Sequence, residues 1–343
     1  MNTVLVTGGA GYVGSHCCKA LGAAGYLPVT FDNLSTGHRD LVKWGPLVEG
    51  DVRDTAAVAA AIAEHRPVAA MHFAALALVG ESMRHPDRYY DINLGGTLAL
   101  LRALTAGGVG ALVFSSTCAV YGEPGEASIV EELSKAPVNP YGFTKLACER
   151  MMADFEAAGG PRHAPLRYFN AAGADPDGET GEHHENETHI IPIVLDVALG
   201  RRESVQIMGT DYPTPDGSAI RDYIHVADLA DAHLRALNRL LEGGASRPFN
   251  LGTGTGTSVR EIVGAVEAVT GRSVACSEAP RRPGDPPRLV ASASRAATEL
   301  GWQPRRSDIK TIVADAWDWH QRRHGTARPD GAANDHAKAR RYQ

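Results

Sequence analysis

The segment Thr7-Gly8-Gly9-Ala10-Gly11-Tyr12-Val13-Gly14 restricts the fold of this chain more than any other. It follows a short apolar run, Val4 to Thr7, and opens a stretch of helical periodicity, so three glycines three apart sit at a strand-to-helix turn. Gly8 allows the tight turn, Gly11 lets backbone approach a pyrophosphate, and Gly14 lets the helix pack closely on the strand. The helix N-terminus then faces the anion. Such a turn on its own also serves purely structural roles. Here the strand before it and the helix after it supply the context that dinucleotide binding requires, and Tyr12 and Val13 fall inside that site.

The second strand ends at Asp32, eighteen residues past Gly14. A carboxylate there accepts from both ribose hydroxyls and repels a 2′-phosphate, which predicts NAD rather than NADP. A capping or turn role is the competing account of Asp32. Asn33 adjoins it, and Asp51-Val52, after a third strand, are placed beside the adenine.

Up to about Asn170, short apolar strands (Val4 to Thr7, Val29 to Asp32, Ala69 to Phe73, Ala111 to Ser115, Leu166 to Phe169) alternate with helical stretches. This βαβ grammar predicts an α/β fold, a doubly wound parallel sheet covered by helices on both faces. From Gly173 to Thr188 the texture changes to Gly, Asp, Glu and His, followed by a helix from Ile190. The expected organisation is a dinucleotide-binding lobe over 1–172 and a smaller mixed α/β lobe over 173–324. The run Phe249-Asn250-Leu251-Gly252 is expected to rejoin the first sheet, and 325–343, almost without large apolar residues, to be disordered.

A net charge of -6, with no basic cluster in the body, argues against nucleic acid or a membrane surface as the main partner. The N-terminus shows no signal segment, no apolar run reaches transmembrane length, and a cytoplasmic location is expected. Five cysteines without a Cys-x-x-Cys suggest neither a disulfide framework nor a thiolate metal site. The loop Glu182-His183-His184-Glu185-Asn186-Glu187-Thr188-His189 lacks the His-Glu-x-x-His register, so no metal is expected and a solvated loop is the preferred reading.

Tyr141 lies four residues before Lys145, which puts both on one face of a helix. The lysine ammonium is then expected to lower the phenol's pKa from about 10 and make Tyr141 a base at neutral pH. Taken alone, the pair reads equally well as an ordinary helix start.

These residues resemble the extended short-chain dehydrogenase/reductases, and within them the UDP-galactose (UDP-glucose) 4-epimerases, over about residues 2 to 322. Besides the glycine turn, the resemblance rests on His72-Phe73-Ala74-Ala75, Val79-Gly80-Glu81-Ser82, Tyr89-Tyr90-Asp91 and Phe114-Ser115-Ser116-Thr117 followed by Val120-Tyr121-Gly122. Further on come Tyr141 with Lys145, Arg167-Tyr168-Phe169-Asn170, Asp211-Tyr212-Pro213-Thr214, Arg221-Asp222-Tyr223-Ile224-His225-Val226 and Arg281-Arg282-Pro283-Gly284-Asp285.

The resemblance implies a Rossmann-type sheet, bound NAD, a UDP-sugar substrate and a homodimer formed by helices of the first lobe. Tyr141 takes the proton of the sugar 4-hydroxyl while the C4 hydride goes to NAD; the 4-keto sugar turns over and receives the hydride on its other face. Thr117 hydrogen-bonds the 4-oxygen, and Lys145 also holds the nicotinamide ribose. Tyr168 lies near the nicotinamide, and Phe73, Ala74, Ala75, Asn93 and Ser115 join the cofactor site. Asn170, Arg221 and Arg282 contact the diphosphate region, Asp285 the uridine ribose, and His189 and Ile190 the uracil end. Guanidinium groups suit that diphosphate role because they bind phosphate oxygens bidentately. Surface ion pairs and a cap for Thr117 are the plainer accounts.

Three positions depart from the family pattern: Ala77 replaces a lysine near the phosphates, Ile92 an asparagine, and Leu289 stands where bulk gates N-acetyl sugars. Leucine's intermediate size predicts weak or no turnover of UDP-N-acetylhexosamines. Sugar-nucleotide dehydratases follow the threonine with an acidic residue, whereas Cys118 and Ala119 follow Thr117 here, so dehydration is disfavoured. A UDP-xylose/UDP-arabinose 4-epimerase needs the same residues and stays open as the alternative. A non-enzymatic NAD sensor would not need Thr117, Tyr141 and Lys145 together.

Overall fold

The computed structural model describes residues 1–125, 128–282 and 285–324. The tail expectation for 325–343 lies outside them. Strands β1 (Thr3–Thr7), β2 (Leu27–Asp32), β3 (Leu47–Glu49), β4 (Ala69–His72), β5 (Ala111–Thr117) and β6 (Arg162–Tyr168) alternate with helices α1 (Tyr12–Ala23), α2 (Thr55–His65), α3 (Val79–Arg84), α4 (Pro86–Tyr89), α5 (Gly96–Ala106) and α6 (Pro140–Ala157). A π-helical segment, Tyr90–Gly95, joins α4 to α5. The later chain adds β7 (Asn170–Ala172), α7 (Ile190–Ala198), β8 (Val205–Met208), β9 (Ile220–Arg221), β10 (Tyr223–His225), α8 (Val226–Leu241), β11 (Phe249–Asn250), β12 (Thr257–Ser258), α9 (Val259–Thr270), β13 (Cys276–Ala279), β14 (Arg288–Leu289), α10 (Ser294–Leu300) and α11 (Ile309–His324).

Seven strands form one parallel sheet in the order β11-β6-β5-β4-β1-β2-β3. The chain winds outward from β1 to β3, then returns to the other side of β1 at β4. This Rossmann-type reversal opens a crevice beyond the carboxyl ends of β1 and β4. Phe249–Asn250 of β11 runs parallel to Leu166–Arg167 of β6. Three small sheets, β7 with β10, β8 with β13, and β9 between β12 and β14, build the remainder.

Strand side chains alternate between two packed faces, as a sheet covered on both sides requires. Val4, Val6, Met71, Val113 and Leu166 pack with Leu21 of α1 and Leu229, Leu237 and Leu240 of α8. On the other face, Leu5, Val29, Phe31, Leu112 and Phe114 pack with Val58 and Ile62 of α2, Leu100 and Leu104 of α5 and Met152 of α6. Each such fully buried aliphatic side chain stabilises the fold by about 1.5–3 kcal/mol. A separate core joins Val194 and Leu195 to Ile262, Val266, Ile312 and Val313. Among the described residues, no helix is long and apolar enough to cross a membrane.

Two strands are longer than the apolar runs suggest. Polar Arg162 and His163 begin β6, and β5 continues through Ser116 and Thr117, which stays in register opposite Tyr168. That extension carries Thr117 to the carboxyl edge of the sheet.

Candidate functional site

A cavity of about 1100 Å³ lies along the carboxyl ends of β1, β2, β4, β5 and β6 and reaches β9, β14 and α7. It exceeds the roughly 300–1,000 Å³ typical of a cleft for one drug-sized ligand, leaving room for a dinucleotide and a second nucleotide. Of the residues expected from the sequence, Gly8, Gly11, Tyr12, Val13, Gly14, Asp32, Asn33, Asp51, Val52, Phe73, Ala74, Ala75, Ser115, Thr117, Tyr141, Lys145, Tyr168, Asn170, His189, Ile190, Arg221, Arg282, Asp285 and Leu289 all line it. So do Ala77 and Ile92, the two departures near the cofactor.

Asn93 is the exception. It is 1% exposed; its amide oxygen accepts from Leu76 N at 2.8 Å, and its nitrogen donates to Leu76 O at 3.0 Å and Thr144 Oγ1 at 3.2 Å. The side chain pins the loop after β4 and so shapes the wall behind the cavity.

At the glycine turn, Gly8 has φ +75° and sits where a Cβ would lie 2.5 Å from Ala74 N. A Cβ on Gly14 would lie 2.2 Å from Gly8 O. Helix α1 starts behind Gly11 with no side-chain cap, which leaves its first-turn amides for an anion. Tyr12 Oη donates to Gly173 O at 2.6 Å, tying the turn to the later chain.

Beside this turn, Asp32 accepts from Ala10 N at 3.0 Å and Leu34 N at 2.9 Å. Burial pushes its pKa up, against the pull of these amides. Ser35, Thr36 and Gly37, which follow it, also line the cavity. The sequence reading missed them, although a Ser-Thr-Gly run straight after a strand carrying the ribose acid was the available signal. Asn33 donates to Asp51 at 3.1 Å, and Arg53 grips the same carboxylate at 2.8–2.9 Å and holds its pKa low.

At the far end of β5, Asn139 caps α6 by accepting from Gly142 N at 2.8 Å, and Pro140 occupies the first turn. Tyr141 and Lys145 therefore leave the same helical face. Burial pushes the Tyr141 phenol up to about 12, opposed by its hydrogen bond with Thr117. Burial pulls the Lys145 ammonium down to about 8, with Cys148 and Glu149 acting the other way.

Lys145 Nζ donates to Ser115 O at 2.8 Å and lies 4.7 Å from the Phe114 ring centroid. The ammonium is bonded to a carbonyl, and desolvation is the larger influence on the phenol.

Thr117 is 6% exposed and also accepts from Ala119 N at 3.1 Å, so the capping and site roles coincide. Ser115 Oγ and Tyr168 Oη are 2.6 Å apart. Cys118, buried beneath Thr117, touches the cavity and carries no acidic function.

Opposite, Arg221 pairs with Asp285, and Asn170 Nδ2 donates to Asp222 O at 3.2 Å. Pro283 and Gly284 lie outside the described residues. The wall between these halves is the loop before α7, where His189 meets Glu182 at 2.6 Å and Glu187 at 3.3 Å. Burial depresses the His189 imidazole, but the two carboxylates outweigh it and raise the pKa to about 10. The loop is partly solvated, as expected, with Glu185, Asn186, Thr188 and His189 exposed, while the Glu182 side chain, 7% exposed, turns inward.

A glycine turn at the reversal point of a parallel sheet, an acid closing β2 and a Tyr-Lys pair on α6 define a dinucleotide-dependent α/β enzyme scaffold. The chain belongs to the NAD dependent epimerase/dehydratase family, whose model matches residues 4–252. It is 53% identical to the UDP-glucose 4-epimerase of Rhizobium meliloti (strain 1021) over 322 residues, 94% of this chain and 98% of that protein. Among solved structures, it is similar to UDP-glucose 4-epimerase from Brucella ovis in complex with NAD, at 50% identity and TM-score 0.91 over 93% of this chain and 98% of that one. It is also similar to UDP-glucose-4-epimerase from Stenotrophomonas maltophila with bound NAD and formylated UDP-arabinopyranose, at 42% identity and TM-score 0.92 over 95% and 100% of the two chains.

Proposed function

We propose that this protein interconverts UDP-galactose and UDP-glucose with NAD as its cofactor. The observation that carries the reading is the meeting of Tyr141 and Thr117 between a dinucleotide half and an arginine-bearing half of one cavity, with Cys118 and Ala119 in place of an acid. The near full-length likeness to UDP-glucose 4-epimerases supports it.

The first-turn amides of α1, Asp32 and the wall from Phe73 to Ala75 hold the dinucleotide in this scheme. NAD, when bound, accepts the sugar's C4 hydride and gives it back. Tyr141 takes the 4-hydroxyl proton and returns it, so it must cycle between phenol and phenolate. A phenol held near 12 is a weak acid at neutral pH, and the Lys145 ammonium, once released from Ser115 O, is the chain's own means of favouring the phenolate. Thr117, beside Tyr141 in the cavity wall, relays the proton. Arg221 and Arg282 anchor the diphosphate and Asp285 the uridine ribose, while Leu289 limits room around the sugar. Holding the diphosphate while the sugar turns is what return of hydride to the opposite face requires.

In this reading residues 1–172 serve the cofactor and 173–324 the UDP-sugar. Val79, Met83, Tyr90 and Phe143, each 40–61% exposed on α3, the π-helical segment and α6, support a homodimer. Five free thiols support a reducing, cytoplasmic location.

The test is Tyr141→Phe, assayed with UDP-glucose, UDP-galactose and UDP-xylose without added cofactor. Epimer formation should fall by about 10²–10⁴-fold with NAD still retained. Unchanged turnover would refute the mechanism, and UDP-xylose as the fastest substrate would replace the hexose by a pentose.

A further inference from the structure

The loop before α7 separates charge by depth. Its two acids turn inward, with the Glu182 side chain 7% and the Glu187 side chain 17% exposed, while His189 stands in the cavity wall at 46%. We propose that these two carboxylates hold the His189 imidazole as a cation that binds the diphosphate of the UDP-sugar, an inference that rests on the substrate proposed above. His189 Nδ1 lies 2.6 Å from Glu182 Oε1 and 3.3 Å from Glu187 Oε1. A carboxylate turned away from water is costly without a counter-charge, so each acid favours a proton on the ring that it faces. With Nδ1 turned to the acids, Nε2–H is left for the cavity, and among the described residues nothing bonds to it.

His184 is the fourth member of the cluster. Its Nδ1 is 3.4 Å from Glu182 Oε1 and 3.3 Å from Glu187 Oε2. Burial opposes protonation of both rings, but the two acids outweigh it, and the pKa rises to about 9 for His184 and about 10 for His189. Two acids and two imidazolium groups then sum to zero within the loop, with the acids inside and His189 outermost. Glu187 Oε1 also accepts from Thr188 N at 2.8 Å and His189 N at 2.7 Å, which fixes the backbone that carries the ring. From α1, Tyr12 faces the cluster edge-on to His184, its phenol kept neutral because burial and the two acids push its pKa up. His183 turns instead to His38 and Arg323. The other charged groups of this half of the cavity wall are Arg202, Arg221, Arg282 and Asp285.

A held cation in a nucleotide cavity suits the charged part of the ligand. An imidazolium gains more from a phosphate oxygen than from a uracil carbonyl, because both partners are then charged. His189 is also the N-cap residue of α7, which no side chain caps, so the open first-turn amide of Ile190 lies on the same stretch of wall and favours the same sign of ligand. Arg221, meanwhile, is engaged by Asp285. This moves His189 from the uracil end to the diphosphate, and makes Glu182 and Glu187 positioning residues that act through it.

The experiment is calorimetric titration of the full chain, with saturating NAD, using UDP and uridine. His189→Asn should weaken UDP by about tenfold and leave uridine unchanged. A pH profile separates a held charge from packing. With each chain read against its own His189→Asn counterpart, so that ionisation of the ligand cancels, the advantage that His189 gives the parent should stay constant between about pH 6 and 8. In Glu182→Gln it should fall over that range, as the freed imidazole, of ordinary pKa about 6.5, loses its proton. Should Glu182→Gln not fold, Glu187→Gln should show the same fall, and His189→Gln replaces a His189→Asn chain that does not fold. Unchanged UDP affinity in His189→Asn overturns the proposal. Equal weakening of uridine overturns it too and returns His189 to the base, and a Glu182→Gln profile as flat as the parent's overturns the held charge. A parent chain that binds no UDP removes the proposed substrate itself, and this inference with it.

Discussion

Glu149 lies one helical turn beyond Lys145 on α6 and holds the only buried arginine among the described residues. Its carboxylate accepts from Arg167 Nε at 2.9 Å, from Nη2 at 2.5 Å and from Ser116 Oγ at 2.6 Å, with the two charged side chains 9% and 4% exposed. Arg167 also donates to Tyr121 Oη at 2.7 Å, which donates to Asn250 Oδ1 at 2.7 Å. The chain of bonds thus runs from the strand that carries Thr117 to β11 at the sheet edge.

Glu149→Gln keeps the shape and one oxygen but leaves the guanidinium buried without its counter-charge. Breaking a buried pair from one side costs about 3–5 kcal/mol. The retained oxygen places this change near the lower figure, roughly a hundredfold in the folding equilibrium. Replacing both partners, Glu149→Met with Arg167→Met, removes the orphaned charge and should cost under about 1.5 kcal/mol. Reversible urea unfolding followed by tryptophan fluorescence measures all three chains. A cost below about 1 kcal/mol for Glu149→Gln, or a double variant as costly as Glu149→Gln, would refute the reasoning.

Two further outcomes follow from the site. In Gly14→Ala the new methyl would meet Gly8 O at 2.2 Å and Gly9 Cα at 2.9 Å, backbone atoms that cannot swing away; the purified variant should carry little NAD and lose about 1–3 kcal/mol of stability, and a full complement of NAD by chromatography would contradict this. Burial lowers Lys145 to about 8 from 10.5, so between those pH values the unfolded chain binds the proton that the folded chain has lost. The burial cost, complete below pH 8, is relieved as pH rises and gone above 10.5. Stability of the parent relative to Lys145→Met should therefore climb across that window by a few kcal/mol at most, and a flat difference would remove the lysine from the account.

The sheet and its glycine turn were legible because their signals are local: apolar runs of strand length, glycines at fixed offsets, an acid closing β2. The Tyr141–Lys145 spacing likewise announced a helix face. What the sequence concealed depends on partners far along the chain. Lys145 is claimed by the carbonyl of Ser115, thirty residues away. Asn93 is absorbed by Leu76 and Thr144, and its π-helical segment follows no periodic pattern in residue types. Strands of two residues, such as β9 and β14, have no period to detect, yet they carry Arg221 and Leu289 to the cavity. The inward fold of Glu182 was also invisible, because a run of Glu and His reads as solvated until the surrounding walls are known.

The pairing of β11 with β6 sets a timetable for the newly made chain. When Tyr168 has been synthesised, the hydrogen-bonding edge of β6 has no neighbour on that side until Phe249, about 80 residues later, has also emerged. At about 5–20 residues per second this takes several seconds. During that interval the nascent sheet presents a raw edge, and the face that α8 will cover, with Val4, Val113 and Leu166, is open. The later chain thus also seals the first-made sheet, and a ribosome stalled between those points would hold a sheet with an open edge and an open face.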